Sequence, residues 1–306
     1  MDDIKKIAVI CGGSSPEREI SLQSGNGVGN ALIELGFQTS IIDFQHLNDL
    51  SILKNYDLVF IALHGFEGEG GDLQENLDAL GIKYTGSNAV GCKNTWNKVK
   101  CKNILFQNDV SSPKAVISSS LDNEDFNPFT EFEKEFGYKK NLFMKPSEDG
   151  SSIDIYKISN NDEFISARMS CINKSREFIF EEEIKGKEYT LTIINNECFP
   201  PIEIQTKNDF YDYDAKYISN ETNLAEAKLS DKELDLMNKI SLKAYKALNC
   251  SGWARVDILG DDDGNLYVLE INTVPGMTSH SCVPKSGSFV GLSYSDVVTK
   301  IISSNV

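Results

Sequence analysis

Two short runs hold the residues best suited to chemistry. WARVDIL places Arg255 and Asp257 two positions apart, and YVLEIN does the same for Glu270 and Asn272. A strand alternates its side chains between faces, so each pair shares one face. The runs flank DDDG, which predicts a hairpin that pairs them. Two carboxylates and an amide oxygen are hard ligands suited to Mg²⁺, an ion that keeps phosphate oxygens in its shell. A guanidinium beside them suits a developing anion. The same spacing also fits an exposed sheet face crossed by ion pairs.

Directly after comes TVPGMTSHS. Pro275-Gly276 forces a turn with exposed backbone N–H groups, and Ser279, His280 and Ser281 add short polar side chains. Such a set suits a carboxylate or oxyanion, although an ordinary turn has the same composition. KPSEDGSSID has the lysine, glycine and serine pair of a phosphate loop, yet it also holds Glu148, Asp149 and Asp154, which repel phosphate. GGSSPERE is a Gly-rich turn opening a helix, without the G-x-G-x-x-G of a dinucleotide site. Glu17 there either favours the helix dipole or faces a pocket and holds an ammonium. HGFEGEGGDLQ, with four glycines in seven residues, reads as a flexible functional loop; its His64 is either a donor to a ligand pocket or, as a lone histidine more often is, structural. EFIFEEEI ends an apolar strand with three acids. Such an end can meet a purine edge and a ribose, although in isolation it reads as a solvated charge run.

The elements that must position these residues follow from periodicity. In the first hundred residues KKIAVI, TSIIDF, DLVFIALHG and IKYTG read as strands, with helices through GNALIELG and DLQENLDALG. This alternation predicts a parallel sheet with helices on its faces. From Asn97, NKVKCKNILFQND, TEFEKEFG and DEFISARMSCIN read as helices, and KAVIS, NLFMKP, IDIYKIS and EFIFEEEI as strands. KEYTLTIIN and CFPPIEIQ then alternate like antiparallel strands. The polar segment TKNDFYDYDAKYISNETNLAEAK has little periodicity and is long for a plain connection, so it reads as a functional loop. SDKELDLMNKISLKAYKALN is a helix with a capping box from Ser230 to Glu233, and YSDVVTKIIS closes the chain as a helix.

The 306 residues suffice for two or three domains. A net charge of −16 argues against nucleic acid or an anionic membrane as partner, while a locally basic pocket still admits an anionic small molecule. No run is long and apolar enough to span a membrane, and the first residues lack a signal-peptide layout. Seven scattered cysteines without a C-x-x-C pair predict reduced, mostly buried thiols, no structural zinc and a cytoplasmic protein.

Taken in order, GGSSPEREISLQSG, HGFEGEGGDLQ, YTGS, KPSEDGSS, EEEIKGKEYT, YDYDAKY, WARVDIL and YVLEINTVPGMTSHS span nearly the whole chain. Together they resemble the D-alanine–D-alanine ligases of the ATP-grasp superfamily. The resemblance implies an α/β fold of the ATP-grasp type. An N-terminal parallel-sheet, Rossmann-like domain (1–97) would precede two α+β subdomains (98–186 and 187–306) that clamp ATP. It implies that Lys98 and Lys145 meet the ATP phosphates. Glu181 and Glu188 would hold adenine and ribose, with backbone groups from Glu182 and Ile184. Asp257, Glu270 and Asn272 would bind two Mg²⁺ ions, with Mn²⁺ as a possible substitute. Glu17 would hold the ammonium of the first D-alanine, Arg255 and the Gly276 N–H an oxyanion, and Ser281 the second substrate's carboxylate. Tyr217 would link through Ser151 to Glu17, and Lys216 would reach the γ-phosphate. The resemblance further implies that an acyl phosphate would form from the first D-alanine and be attacked by the amine of the second, making the dipeptide of peptidoglycan precursors. A tyrosine at 217 favours an amine over D-lactate as nucleophile. A homodimer is the family expectation. The alternatives are a ligase with D-serine as second substrate and a nucleotide-binding paralogue without turnover.

Three departures from the family pattern stand out. Asp154 replaces the last glycine of G-S-S-x-G, Gly70 replaces the acid of G-E-D-G, and Lys93 and Asn94 replace apolar residues. A carboxylate at 154 facing the phosphates would weaken ATP binding, and Asp154→Gly would then improve it.

Overall fold

The computed structural model describes residues 4–150, 154–206 and 222–304. Strand β1 (Lys6–Cys11) is apolar and buried from its second residue, and β2 (Gln38–Asp43) and β3 (Leu58–Ile61) flank it as parallel neighbours in the order β2-β1-β3. Parallel neighbours require a crossover, and α1 (Arg18–Glu34) supplies it between β1 and β2. Three details differ from the sequence reading. The strand expected at IKYTG is a single parallel bridge, Val59 to Tyr84. The glycine loop after β3 contains a helical turn, α2 (Phe66–Glu69), before α3 (Asp72–Ala79). Helix α4 (Ala89–Trp96) was not anticipated; its mixed polar and small residues give no apolar stripe.

Helix α5 (Lys98–Gln107) leads to β4 (Ala115–Ser118), α6 (Pro128–Phe136), β5 (Leu142–Pro146), β6 (Tyr156–Ile158), α7 (Asn161–Ser170) and β7 (Phe178–Glu182). The strands form an antiparallel sheet in the order β4-β7-β5-β6. Phe178 and Phe180 of β7 join Leu142 and Met144 of β5 in a core with Phe132 of α6 and Phe164 of α7. Because faces alternate, Phe143, Lys145 and Glu181 project from the other side.

The rest comprises β8 (Gly186–Ile194), β9 (Glu197–Cys198), β10 (Ile202–Gln205), β11 (Asn223–Glu226), α8 (Asp231–Ala247), β12 (Trp253–Asp261), β13 (Leu266–Asn272), α9 (Cys282–Phe289) and α10 (Tyr294–Ser303). Its antiparallel sheet runs β11-β10-β8-β12-β13, with β9 also on β8. The predicted capping box opens α8. Strand β11 lies within the segment read as loop, and its short run gains a ladder only through β10. Val297, Val298, Ile301 and Ile302 of α10 pack with Val9, Leu32, Phe60 and Trp253, so the end of the chain completes the core of the first sheet. No helix among the described residues is long and apolar enough to cross a membrane. The seven cysteines form no disulfide with one another. Burial pushes Cys11 and Cys171 up to about 11 and Cys92 and Cys101 up to about 12, which disfavours the nucleophilic thiolate.

Candidate active site

The β12–β13 hairpin forms as its spacing predicts. Arg255 lies opposite Asn272 and Asp257 opposite Glu270, with a register shift immediately after Asp257. Arg255 donates from Nε and Nη2 to the two oxygens of Asp257 at 2.9 and 2.8 Å, and Thr190 Oγ1 donates to Oδ1 at 2.6 Å. Asp257 is only 5% exposed, so this is not a solvated sheet face. Arg255, Glu270 and Asn272 line a cavity of about 70 Å³ together with Glu17, Lys98 and Glu69. Six charged or amide side chains from both ends of the chain therefore share one small space.

Among the described residues no cluster of three or more His, Cys, Asp or Glu makes a metal site by itself. The donors nonetheless fit a hard cation completed by phosphate oxygens. Glu270 and Asn272 reach the cavity, and the Val274 N–H fixes the Asn272 amide by donating to its Oδ1 at 3.1 Å. Asp257 would have to share its oxygens between a cation and Arg255.

Glu17 stands at the N-terminus of α1. The loop after β5 closes on it: a Cβ added at Gly150 would lie 3.1 Å from Glu17 Oε2. His64 at the end of β3 is buried, with Nδ1 2.8 Å from the Val274 carbonyl and Nε2 3.2 Å from Ser24 Oγ. A carbonyl only accepts, so Nδ1 carries the proton. Burial lowers the His64 pKa against the charge of Glu17, which keeps the ring neutral. Ser24 Oγ also accepts from the Met277 N–H at 3.0 Å. His64 thus has the structural role expected, seating the turn after β13 on the first sheet.

Glu69 was not singled out from the sequence, although it lies inside the flagged glycine loop. Its Oε1 accepts from the Gly65 N–H at 2.8 Å. Burial pushes its carboxyl up to about 8 from 4.5, and the charge of Glu17 adds to the shift. The folded state therefore keeps a proton that the unfolded chain loses. The contribution to stability is full below pH 4.5 and is lost as pH rises to about 8. Urea unfolding at pH 5 and pH 8 should show wild type losing stability relative to Glu69→Gln over that interval. Comparison with the variant cancels His64, whose lowered pKa gives the opposite slope. Parallel pH profiles would refute the assignment.

On β5 and β7, Lys145 Nζ donates to Glu181 Oε2, and Lys102 of α5 reaches Oε1 at 2.8 Å. Glu181 is 3% exposed. Burial would raise its pKa, but Lys102 and Lys145 outweigh it and bring it down to about 2. Burial likewise opposes the charge on Lys145, yet Glu181 raises its pKa, with lesser help from Glu270 and Glu188. Glu182 accepts from the Lys114 N–H at 3.0 Å and the Tyr138 hydroxyl at 2.8 Å. The first two acids of EEE are thus buried and paired, which overturns their reading as a solvated charge run. Ile184 and Glu188 follow, both half-buried, where the chain passes from β7 into β8.

Lys98 opens α5 and donates from Nζ to the Asp149 carbonyl at 2.7 Å. Burial lowers its pKa, with Glu270 opposing and Lys145 adding. The loop after β5 overturns the expectation that Asp154 faces a bound phosphate. Its carboxylate pairs with Arg176, whose other arm pairs with Asp149, and it also accepts from the Ile172 N–H at 3.2 Å. The Asp154 side chain is 4% exposed, and its backbone has φ 53°, a left-handed value an aspartate tolerates better than most residues. The charge is turned to Arg176. Asp154→Gly should consequently leave the KM for ATP within about twofold. Arg176→Met strands two carboxylates and should cost about 2 kcal/mol after allowance for partial exposure. ATP titration and urea unfolding check both; a several-fold tighter ATP affinity in Asp154→Gly would restore the repulsion argument.

The turn after β13 brings Gly276 against Ser281, where a Cβ would stand 2.8 Å from the serine Oγ. Ser281 caps α9 in position, and its Oγ accepts from the Thr278 N–H at 3.0 Å. The other departures also find partners. A side chain at Gly70 would meet the Phe66 carbonyl at 2.6 Å and its ring at 2.7 Å. Lys93 pairs with Glu75 at 2.6 Å and Asp72 at 3.3 Å. Asn94 Nδ2 donates to the Leu248 carbonyl at 3.1 Å beyond α8. Ser151, Lys216 and Tyr217 lie outside the described residues.

Residues 110–303 match the model of the D-ala D-ala ligase C-terminus family. A D-alanine–D-alanine ligase of Marinomonas sp. (strain MWYL1) is 38% identical over 305 residues, 96% of this chain and 94% of its own length. The crystal structure of the Bacillus anthracis D-alanine–D-alanine ligase complexed with ATP superposes with a TM-score of 0.84 at 33% identity, over 98% of this chain and 97% of that one. The VanG D-Ala:D-Ser ligase of Enterococcus faecalis gives a TM-score of 0.85 at 28% identity, over 99% and 100%. With its sheets, its hairpin and its cavity residues in this arrangement, the chain belongs to the D-alanine–D-alanine ligase family.

Proposed function

We propose that the chain joins two D-alanine molecules at the expense of ATP, releasing ADP and phosphate, in the supply of peptidoglycan precursors. The observation that carries this reading is the convergence of Glu17, Lys98, Arg255, Glu270 and Asn272 on one cavity. In the proposed reaction Glu17 holds the ammonium of the first D-alanine. The carboxylate oxygen of that D-alanine attacks the γ-phosphorus of ATP, the bond to ADP breaks, and an acyl phosphate forms. The amine of the second D-alanine then attacks the activated carbonyl, loses a proton and expels phosphate. Arg255 and the Gly276 N–H stabilise the tetrahedral oxyanion, and Ser281 anchors the second carboxylate. Lys98 and Lys145 neutralise the phosphates, while Glu181, Glu182, Ile184 and Glu188 receive adenine and ribose. Asp257, Glu270 and Asn272 would hold two Mg²⁺, which supply charge neutralisation when bound.

The arrangement proposed is the ATP-grasp one, with boundaries near 97/98 and 186/187. It is supported by three sheets that fall within those limits to one residue and by the Lys145–Glu181 face turned away from the core of its own sheet. A cytoplasmic homodimer is proposed with it. The test is phosphate release from Mg-ATP with D-alanine alone, with the product identified by mass spectrometry, and with D-serine or D-lactate added in parallel. D-alanyl-D-alanine as main product is expected. A mixed product in preference would transfer the reading to D-serine, and no product from folded, ATP-binding protein would overturn it.

A further inference from the structure

Lys102 of α5 stands beside the buried Lys145–Glu181 pair. It sits four residues after Lys98 on α5, so both lie on one face of that helix. Its side chain is 13% exposed, and its Nζ meets three partners: Glu181 Oε1 at 2.8 Å, Ser112 Oγ at 2.7 Å and the Pro113 carbonyl at 2.7 Å. An ammonium has three N–H donors, so these contacts saturate it. Lys102 is thereby fixed and cannot itself swing to a phosphate.

Its effect comes through charge and position. Lys145 and Glu181 alone would be a neutral pair, and a neutral pair attracts phosphate weakly. Lys102 takes the second oxygen of Glu181, so the buried set of Lys102, Lys145 and Glu181 carries a net charge of about +1. Through the same contact the helix that begins with Lys98 is tied to the strand that carries Glu181, and by Glu181 to Lys145. The geometry points to Lys102 as a positioning residue for ATP: it offsets Glu181 so that Lys145 keeps its attraction for the phosphates, and it couples Lys145 to Lys98. This inference rests on the reading of Lys145 and Glu181 as nucleotide-binding groups.

The test titrates ATP by calorimetry and measures KM for ATP and for D-alanine separately. Lys102→Met should weaken ATP binding about 10-fold through loss of the net charge, with KM for D-alanine changed less than about twofold. Unchanged ATP affinity in folded Lys102→Met, or an equal rise of both KM values, would overturn the proposal. Should Lys102→Met not fold, Lys102→Arg decides: it keeps the charge and must keep ATP affinity within about threefold. Wild-type protein that binds no ATP would instead refute the ligase reading, a separate result from loss in the variant alone.

Discussion

Arg255→Met should lower kcat about 10³-fold, the scale seen when one preorganised oxyanion donor is removed. The reason lies in how the guanidinium is held. Two parallel hydrogen bonds to Asp257 fix its plane, and Asp257 is itself held by Thr190 from the neighbouring strand. Donors fixed before the reaction need no reorganisation when charge develops. The KM for ATP should change less than about threefold, because the Lys145 and Glu181 set sits on another sheet. A second readout separates the two half-reactions. If Arg255 serves the attack of the amine, the acyl phosphate still forms in the variant and is lost to water, so phosphate released per dipeptide rises above one. Arg255→Lys keeps the charge but not the planar fork, and should recover only part of the rate. A kcat within tenfold of wild type in folded Arg255→Met, with dipeptide and phosphate still equal, would remove Arg255 from the oxyanion role.

Glu17→Gln should raise the apparent KM for D-alanine about 100-fold, as expected when a charge-assisted hydrogen bond is lost from a confined site. Glu17 reaches the cavity from the first sheet's side, and Gly150 packs so close that no side chain fits there without shifting it. Its charge is felt nearby: it adds to the raised pKa of Glu69 and works against the lowering of His64. An ammonium docked there gains that field directly, and glutamine keeps the shape but not the charge. ATP affinity measured without D-alanine should stay within about twofold. Steady-state kinetics with D-alanine varied at saturating ATP reads the effect. A variant with unchanged KM for D-alanine would place the ammonium elsewhere, and equal losses for both substrates would mark Glu17 as merely structural.

The sequence alone determined what depends on neighbours along the chain. The period of two in WARVDIL and YVLEIN, with DDDG between, fixes the hairpin and the shared face of its four polar residues, because strand pleat and turn chemistry act over a few positions. The capping box of α8 and the alternation around β1 follow in the same way. The order of motifs carried the family and most of the cavity residues. Tertiary structure decided how each of these groups is charged and held. Arg176 lies 22 residues from Asp154, and nothing local announces that it turns that carboxylate away from the loop. Glu181 and Glu182 read as solvent-facing acids until the fold buries both, Glu181 against lysines from β5 and α5 and Glu182 against the Lys114 N–H and the Tyr138 hydroxyl. Glu69 becomes a raised acid only because the fold encloses it beside Glu17. Helix α10 reaches β1 across nearly the whole chain, and so completes the core on which Glu17 stands. Local propensity acts through backbone and adjacent side chains, whereas desolvation and ion pairing depend on whatever the fold brings within a few ångströms.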